Sequence, residues 1–275
     1  MMVMGRIFRK TGSLVYSLQF PDLFSSLLKT NSELIYRLGS CYPDPCLYPG
    51  LDCFVEAFDA HAYSTWISNR KLGCFRRPVS LELYVPLCGL LCLHRYSDQI
   101  IVSDKNGIET YLDYLLRDIR LQGQLFKGDT KVEQIYFRGG AAFLSDAQLN
   151  TLVQEIKRHF NLIEGGYFCI EVEARPLTNC SIQALKKMGF NSVVVGVHDR
   201  DQQTNHSKQH IQSEEAIVQA IRDIRRAGFK SVKAELDCGL PEQNRDEFAH
   251  TLLKIIAANP DQIKLSNYKQ FAGML

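Results

Sequence analysis

The 275-residue sequence has no long apolar run, no excess of either charge and no dense cysteine framework. Its longest near-continuous apolar stretch, residues 86–93, falls far short of the ~20 residues that a membrane-spanning helix needs. The 32 Lys and Arg nearly cancel the 30 Asp and Glu, leaving a formal charge of +2. That is not the strongly basic face or stripe by which nucleic-acid binders are recognised. Nine cysteines, at 41, 46, 53, 74, 88, 92, 169, 180 and 238, are an odd number spread over a mid-sized chain, whereas disulfide scaffolds are shorter and denser. The opening MMVMGRIFRK has some basic character but no apolar core followed by a small-residue cleavage site, so no secretory signal is expected. These absences predict a reduced, cytoplasmic protein with neither nucleic acid nor membrane as partner. The rest is ordinary globular material, 45% hydrophobic and 23% charged, which excludes disorder and collagen-like classes and suffices for a sizeable core. At about 150 residues per domain the length suits one large domain or two small ones.

From residue 80 onward strand-like and helix-like stretches alternate. Short apolar, β-branched runs fall at 80–85, 132–137, 168–172, 192–197, 231–236 and 262–265. Between them, 108–121, 146–160, 181–188, 214–227 and 246–258 carry apolar residues at three- and four-residue steps. Six strands with five intervening helices predict a parallel α/β fold. Two units echo each other: Lys186-Lys187-Met188-Gly189-Phe190-Asn191-Ser192-Val193 resembles Arg225-Arg226-Ala227-Gly228-Phe229-Lys230-Ser231-Val232. In each, basic residues suit the negative helix C-terminus and Gly accepts the left-handed cap. Such units close into a barrel or lie in an open sheet, and ligands bind at the carboxyl ends of the strands in both. Residues 1–79 differ in texture, with Pro21, Pro43, Pro45 and Pro49 and four cysteines between 41 and 74. They read as an N-terminal extension with a possible helix over 55–68.

Chemistry-bearing residues cluster at the predicted strand ends. In Phe137-Arg138-Gly139-Gly140-Ala141-Ala142 the glycines allow a backbone to approach a ligand closely or simply make a tight βα turn; no Gly-Lys-Ser/Thr follows, so this is not a phosphate loop. Glu171 and Glu173 flank Val172, and period-two spacing puts both carboxylates on one strand face. A carboxylate turned inward needs a ligand or a salt-bridge partner. His198-Asp199 and Glu235-Leu236-Asp237-Cys238 sit at the next two strand ends. Cys88 and Cys92, after the first strand, are either metal ligands or inert buried thiols; no second pair stands near them to complete a structural zinc site.

Taken together, these segments resemble the oxygen-independent coproporphyrinogen III oxidase family of radical S-adenosylmethionine enzymes. Pro78 to Arg95, including Tyr84-Val85-Pro86-Leu87-Cys88 and Cys92, is similar to the family's Tyr-Val-His-Ile-Pro-Phe-Cys run and its C-x3-C-x2-C cysteines. Tyr48-Pro49, Ile170-Glu171-Val172-Glu173, Gly189-Phe190-Asn191, Gly196-Val197-His198, Gly239-Leu240-Pro241 and Asn259-Pro260-Asp261 keep further family landmarks in order, over about residues 40 to 271. The resemblance implies a partial (three-quarter) parallel β/α barrel of six βα units over 80–275, with 1–79 as extension and the family's C-terminal domain absent. It also implies a [4Fe–4S] cluster held by cysteine thiolates, S-adenosylmethionine as cofactor, and oxidative decarboxylation of the tetrapyrrole coproporphyrinogen III to protoporphyrinogen IX in haem biosynthesis. Cys88 and Cys92 match cluster ligands, and Gly139, Gly140, Glu171, His198, His210 and Glu235 fall at cofactor-contacting positions.

The departures are specific. Arg95 stands at the third cluster cysteine and Ser97 at a later one; Glu82 and Tyr84 replace the motif's Tyr and His. Arg138 replaces the first glycine of the cofactor turn, and Ala141-Ala142 its Thr-Pro; His198, His210 and Glu235 stand for Gln, Arg and Asp. A guanidinium has no lone pair for iron. His94, or Cys238 from another strand end, are the candidate replacements. Arg95 is expected to point toward the cluster space and to pair with Glu82, Glu171 or Glu173. Two readings follow: a radical S-adenosylmethionine oxidoreductase, or a non-catalytic homologue that binds a tetrapyrrole or a protein partner.

Overall fold

The computed structural model describes residues 59–69, 78–85, 87–88, 100–101, 105–126, 131–173, 182–197, 214–238 and 243–267. Its strands are β1 (Val79–Val85), β2 (Leu87–Cys88), β3 (Ile100–Ile101), β4 (Lys131–Gly139), β5 (Asn161–Glu173), β6 (Ser192–Val197), β7 (Ser231–Cys238) and β8 (Gln262–Asn267). Its helices are α1 (Ala60–Asn69), α2 (Lys105–Phe126), α3 (Asp146–His159), α4 (Ile182–Met188), α5 (Glu214–Arg226) and α6 (Arg245–Ala257). All six long strands form one sheet in the order β1-β4-β5-β6-β7-β8, every pair parallel. The two-residue strands β2 and β3 pair separately.

The order follows the sequence without reversal, and the two sheet faces differ in kind. One face carries Leu81, Leu83, Val85, Ile135, Phe137, Ile170, Val172, Val193, Val195, Val232, Ala234 and Leu236, all buried in one core with the helices. The other carries Glu82, Tyr84, Tyr136, Arg138, Tyr167, Glu171, Glu173, Lys233, Glu235 and Lys264, alternating with the first set. A doubly wound sheet buries both faces under helices and reads apolar on both. Here the helices cover one face and leave a polar inner face, as a partial parallel β/α barrel requires. Among the described residues, no helix is long and apolar enough to cross a membrane.

Local chemistry explains the element ends. Ser145 caps α3 in a reciprocal capping box with Gln148, so two orphan N–H groups are satisfied. Helix α5 begins with Glu214 and Glu215 and ends with Arg225 and Arg226, matching charge to the helix dipole. The echoed units have a common architecture. Gly189 and Gly228 take φ of 106° and 77° after α4 and α5, and a lysine from the preceding helix reaches each turn. Lys157 Nζ donates to Met188 O at 2.9 Å and Lys186 Nζ to Gly228 O at 2.6 Å. The landmarks before the strands act as clamps. Asn191 accepts from Phe168 N (3.0 Å) and donates to Gly166 O (2.6 Å), while Asp261 accepts from Val232 N (2.7 Å) and pairs with Arg225 (3.0 Å). They stitch neighbouring strands at the amino end of the barrel, where a residue serves stability.

Candidate functional site

The register aligns the inner-face side chains in rows. Glu82, Tyr136, Cys169, Ser192 and Ser231 are partners across β1, β4, β5, β6 and β7. Two residues further on, toward the carboxyl ends, Tyr84 pairs with Arg138, and Glu171 with Val194, Lys233 and Gln262. The next row holds Glu173, Gly196, Glu235 and Lys264.

Arg138 is the centre of the first cluster. Its Nη1 lies 3.1 Å from Glu82 Oε1 and its Nε 3.9 Å from Glu171 Oε2; all three side chains are 16% exposed. The guanidinium also stacks over the Tyr136 ring, 5.4 Å from its centroid. Glu171 additionally accepts from the Gly139 backbone N–H at 3.3 Å. Gly139 itself has φ 71°, and a Cβ there would meet Val85 O at 2.6 Å and the Tyr84 ring at 3.0 Å. Only glycine fits that position. Gly140, itself buried, opens a 3₁₀ turn, Gly140–Phe143. Burial, then neighbouring Cys169 and Glu171, push the Tyr136 phenol well above its ordinary value, so it remains a hydrogen-bond donor at neutral pH.

A second cluster lies on β5 to β8. Glu235, 4% exposed, accepts from Lys264 Nζ at 2.9 Å. Lys233 places its ammonium 4.9 Å from the Tyr167 ring centroid; burial lowers its pKa, opposed by Cys169 and Glu235. Tyr167 and Ser192 hydroxyls meet at 2.9 Å. Cys169, fully buried beside them, has its thiol pushed up to about 11 by burial.

Of the residues singled out in the sequence, Gly139, Gly140, Glu171 and Glu235 stand at the carboxyl ends of β4, β5 and β7. Cys88 is placed by its backbone alone, in β2, against the Gly140–Phe143 turn. Cys92, His94, Arg95, Ser97, His198, His210 and residues 1–58 lie outside the described residues. Arg138 pairs with Glu82 and Glu171; the pairing expected of Arg95 lies outside the described residues. Cys238 belongs to the apolar core on the helix-covered face, so it does not face the inner cluster as a replacement ligand. Tyr136 in the first cluster and Lys233, Lys264 and Tyr167 in the second were not anticipated, although Tyr136, Lys233 and Lys264 alternate with apolar neighbours along their strands.

The chain matches no protein-family model. It is 30% identical over 248 residues to the oxygen-independent coproporphyrinogen III oxidase of Pseudomonas aeruginosa, covering 88% of this chain and 53% of that protein. The Salmonella typhimurium enzyme of the same name is 29% identical over 236 residues, covering 86% and 50%. Among solved structures, Escherichia coli coproporphyrinogen III oxidase, described as a radical SAM enzyme, superposes with a TM-score of 0.70 at 29% identity, over 80% of this chain and 50% of that one. The chain belongs to the oxygen-independent coproporphyrinogen III oxidase family. It spans about half the length of the curated relatives it matches.

Radical S-adenosylmethionine chemistry in this family implies a [4Fe–4S] cluster, and the donor set that the resemblance assigns to it is short of a third thiol. By the resemblance, Cys88 and Cys92 stand at two of the cluster positions and Arg95, a protonated group without a lone pair, at the third. Iron–sulfur clusters are held by four cysteines or close equivalents. Among the described residues, no group of three or more His, Cys, Asp or Glu is placed to hold a metal ion.

Proposed function

We propose that this chain is a non-catalytic member of the family, a β/α barrel at 80–275 behind an N-terminal extension at 1–79, whose inner face binds a tetrapyrrole. The two-thiol donor set of Cys88, Cys92 and Arg95 carries the reading, because it is short of a thiolate at the centre of the family's chemistry. The inner face supports a tetrapyrrole as ligand. Tyr84, Tyr136 and Tyr167 offer aromatic rings to pyrroles, and Lys233, on the same inner face, offers a cation to a carboxylate side chain. Gly139, Gly140, Glu171, His198, His210 and Glu235 are the proposed contacts at the mouth.

The second reading, a competent coproporphyrinogen oxidase, has one observation in its favour: Gly139 and Glu171 remain in contact. One pair of experiments separates the two. Anaerobic reconstitution with iron and sulfide should leave well under four irons per chain, and coproporphyrin III should show a saturable shift of its absorption band on binding. Near four irons per chain, with a reduced-cluster EPR signal altered by S-adenosylmethionine, establishes the second reading. Absence of any porphyrin shift removes the tetrapyrrole from the first.

A further inference from the structure

We infer that Arg138 is a built-in ligand: its guanidinium fills the cation subsite between Glu82 and Glu171 and closes the barrel mouth to the α-ammonium group of an amino-acid ligand such as S-adenosylmethionine. Glu82 on β1 and Glu171 on β5 flank β4 from opposite sides, each 16% exposed. Two carboxylates so placed repel each other and are poorly hydrated, so the space between them calls for a cation. Arg138 supplies it from β4, the strand between, with contacts at 3.1 and 3.9 Å and its guanidinium carbon over the Tyr136 ring at 5.4 Å. Because the group is tethered, it competes at an effective concentration that a free ligand at cellular levels does not reach.

The position of the subsite gives the inference its ligand class. Glu171 bonds the Gly139 N–H, and Gly139 is the point where no side chain fits against Val85 O. The space a side chain at 139 would take is filled by Val85 O and the Tyr84 ring, so the subsite offers a ligand its two carboxylates, which suit an ammonium group in place of the guanidinium. In the resemblance, residue 138 is a glycine and residue 171 a cofactor contact; the substitution turns an open subsite into a filled one. This block lies on β4 and does not depend on the two-thiol loop or on tetrapyrrole binding.

The test is equilibrium dialysis of the full chain against radiolabelled S-adenosylmethionine, with Arg138→Gly and Arg138→Gln as variants and circular dichroism as the check of folding. The parent should bind with no saturation in the micromolar range. Both variants should bind at least tenfold more tightly, the gain should vanish when Glu171→Gln is added, and methylthioadenosine, which lacks the amino-acid group, should gain nothing. In the unaltered chain, phenylglyoxal should modify Arg138 far more slowly than Arg158 and Arg226, whose side chains are 74% and 73% exposed. Tight binding by the parent that Arg138→Gln leaves unchanged overturns the inference. So do folded variants that bind no better than the parent, and so does rapid modification of Arg138.

Discussion

The ion-pair cluster at Arg138 makes a quantitative prediction about stability, read by a double-mutant cycle with Glu82. Glu82→Gln removes one charge-assisted bond of 3.1 Å but leaves Arg138 with Glu171. Hydrogen bonds to charged groups contribute about 1.5–3 kcal/mol, and the retained partner puts this loss near the lower bound, about 1.5 kcal/mol. Arg138→Gln is worse, because it strands two carboxylates that are each 16% exposed. Removing one partner of a largely buried pair costs about 3–5 kcal/mol, and the remaining solvent contact places this variant at about 3 kcal/mol. The double variant keeps only Glu171, still bonded to Gly139 N–H, and should lose about 3 kcal/mol, not the ~4.5 of the sum. A coupling of about 1.5 kcal/mol is therefore expected, well above the ~0.5 kcal/mol scatter of independent sites. Urea unfolding at pH 7, followed by circular dichroism, measures it. The Arg226–Asp223 pair, 73% and 40% exposed, is the internal control and should show coupling of less than about 1 kcal/mol. Additive losses at Arg138 and Glu82, or an equal coupling at both pairs, would refute the placement of the guanidinium between the carboxylates.

Three further outcomes follow from the same geometry. Phe137 is fully buried and meets Phe190 edge-on at 5.3 Å, so Phe137→Ala should cost about 3–5 kcal/mol and lower the melting temperature by roughly 10 °C; a shift under about 2 °C in calorimetry would mean that the core beneath the mouth is not packed as described. Gly139→Ala forces a side chain into φ 71° and against Val85 O at 2.6 Å, and should lower stability by about 2 kcal/mol or more; an unchanged urea midpoint contradicts that turn. Cys169 has its thiol raised from 9.0 to about 11 by burial, so between those values the unfolded chain releases a proton that the folded chain keeps. Stability should therefore fall as pH rises from about 9 to 11, and Cys169→Ala should flatten the decline; parallel pH profiles for parent and variant would show that the thiol is not responsible.

The strands were legible because their outer faces are apolar and β-branched. The run at 192–197 coincides with β6, and the run at 80–85 misses β1 by one residue. β5 begins seven residues before the expected 168, because Glu164, Gly165 and Gly166 interrupt the pattern where the register with β4 slips between Val132 and Gln134. The expected helix at 108–121 is extended to Lys105–Phe126, since Lys105-Asn106-Gly107 at one end and Gln122-Gly123-Gln124 at the other interrupt the apolar period. At the site, the turn glycines and Glu171 were readable as strand-end features. Arg138 was readable only as a lost glycine. Nothing local in a strand says which carboxylates two neighbouring strands will bring beside a guanidinium, and β1 and β5 lie 56 and 33 residues away in sequence from that side chain as judged by Glu82 and Glu171.

The separation of the two sheet faces explains how family membership and an altered centre coexist in one chain. What holds the barrel together is the apolar outer face under its helices, together with amino-end clamps such as Asn191 and Asp261. The outer-face side chains lie on the opposite side of the sheet from the Arg138 cluster. Three of the substitutions that distinguish this chain from the family motif, Glu82, Tyr84 and Arg138, point to the inner face, where they exchange one set of polar contacts for another. Glu82 and Arg138 moreover compensate each other: an arginine in place of glycine would be an uncompensated charge, and a glutamate in place of tyrosine would crowd Glu171, yet together they form a closed set. The cluster is thus satisfied without any bound group. A scaffold at 30% identity testifies to the outer face and the clamps, and the chemistry of the inner face has to be judged from its own residues.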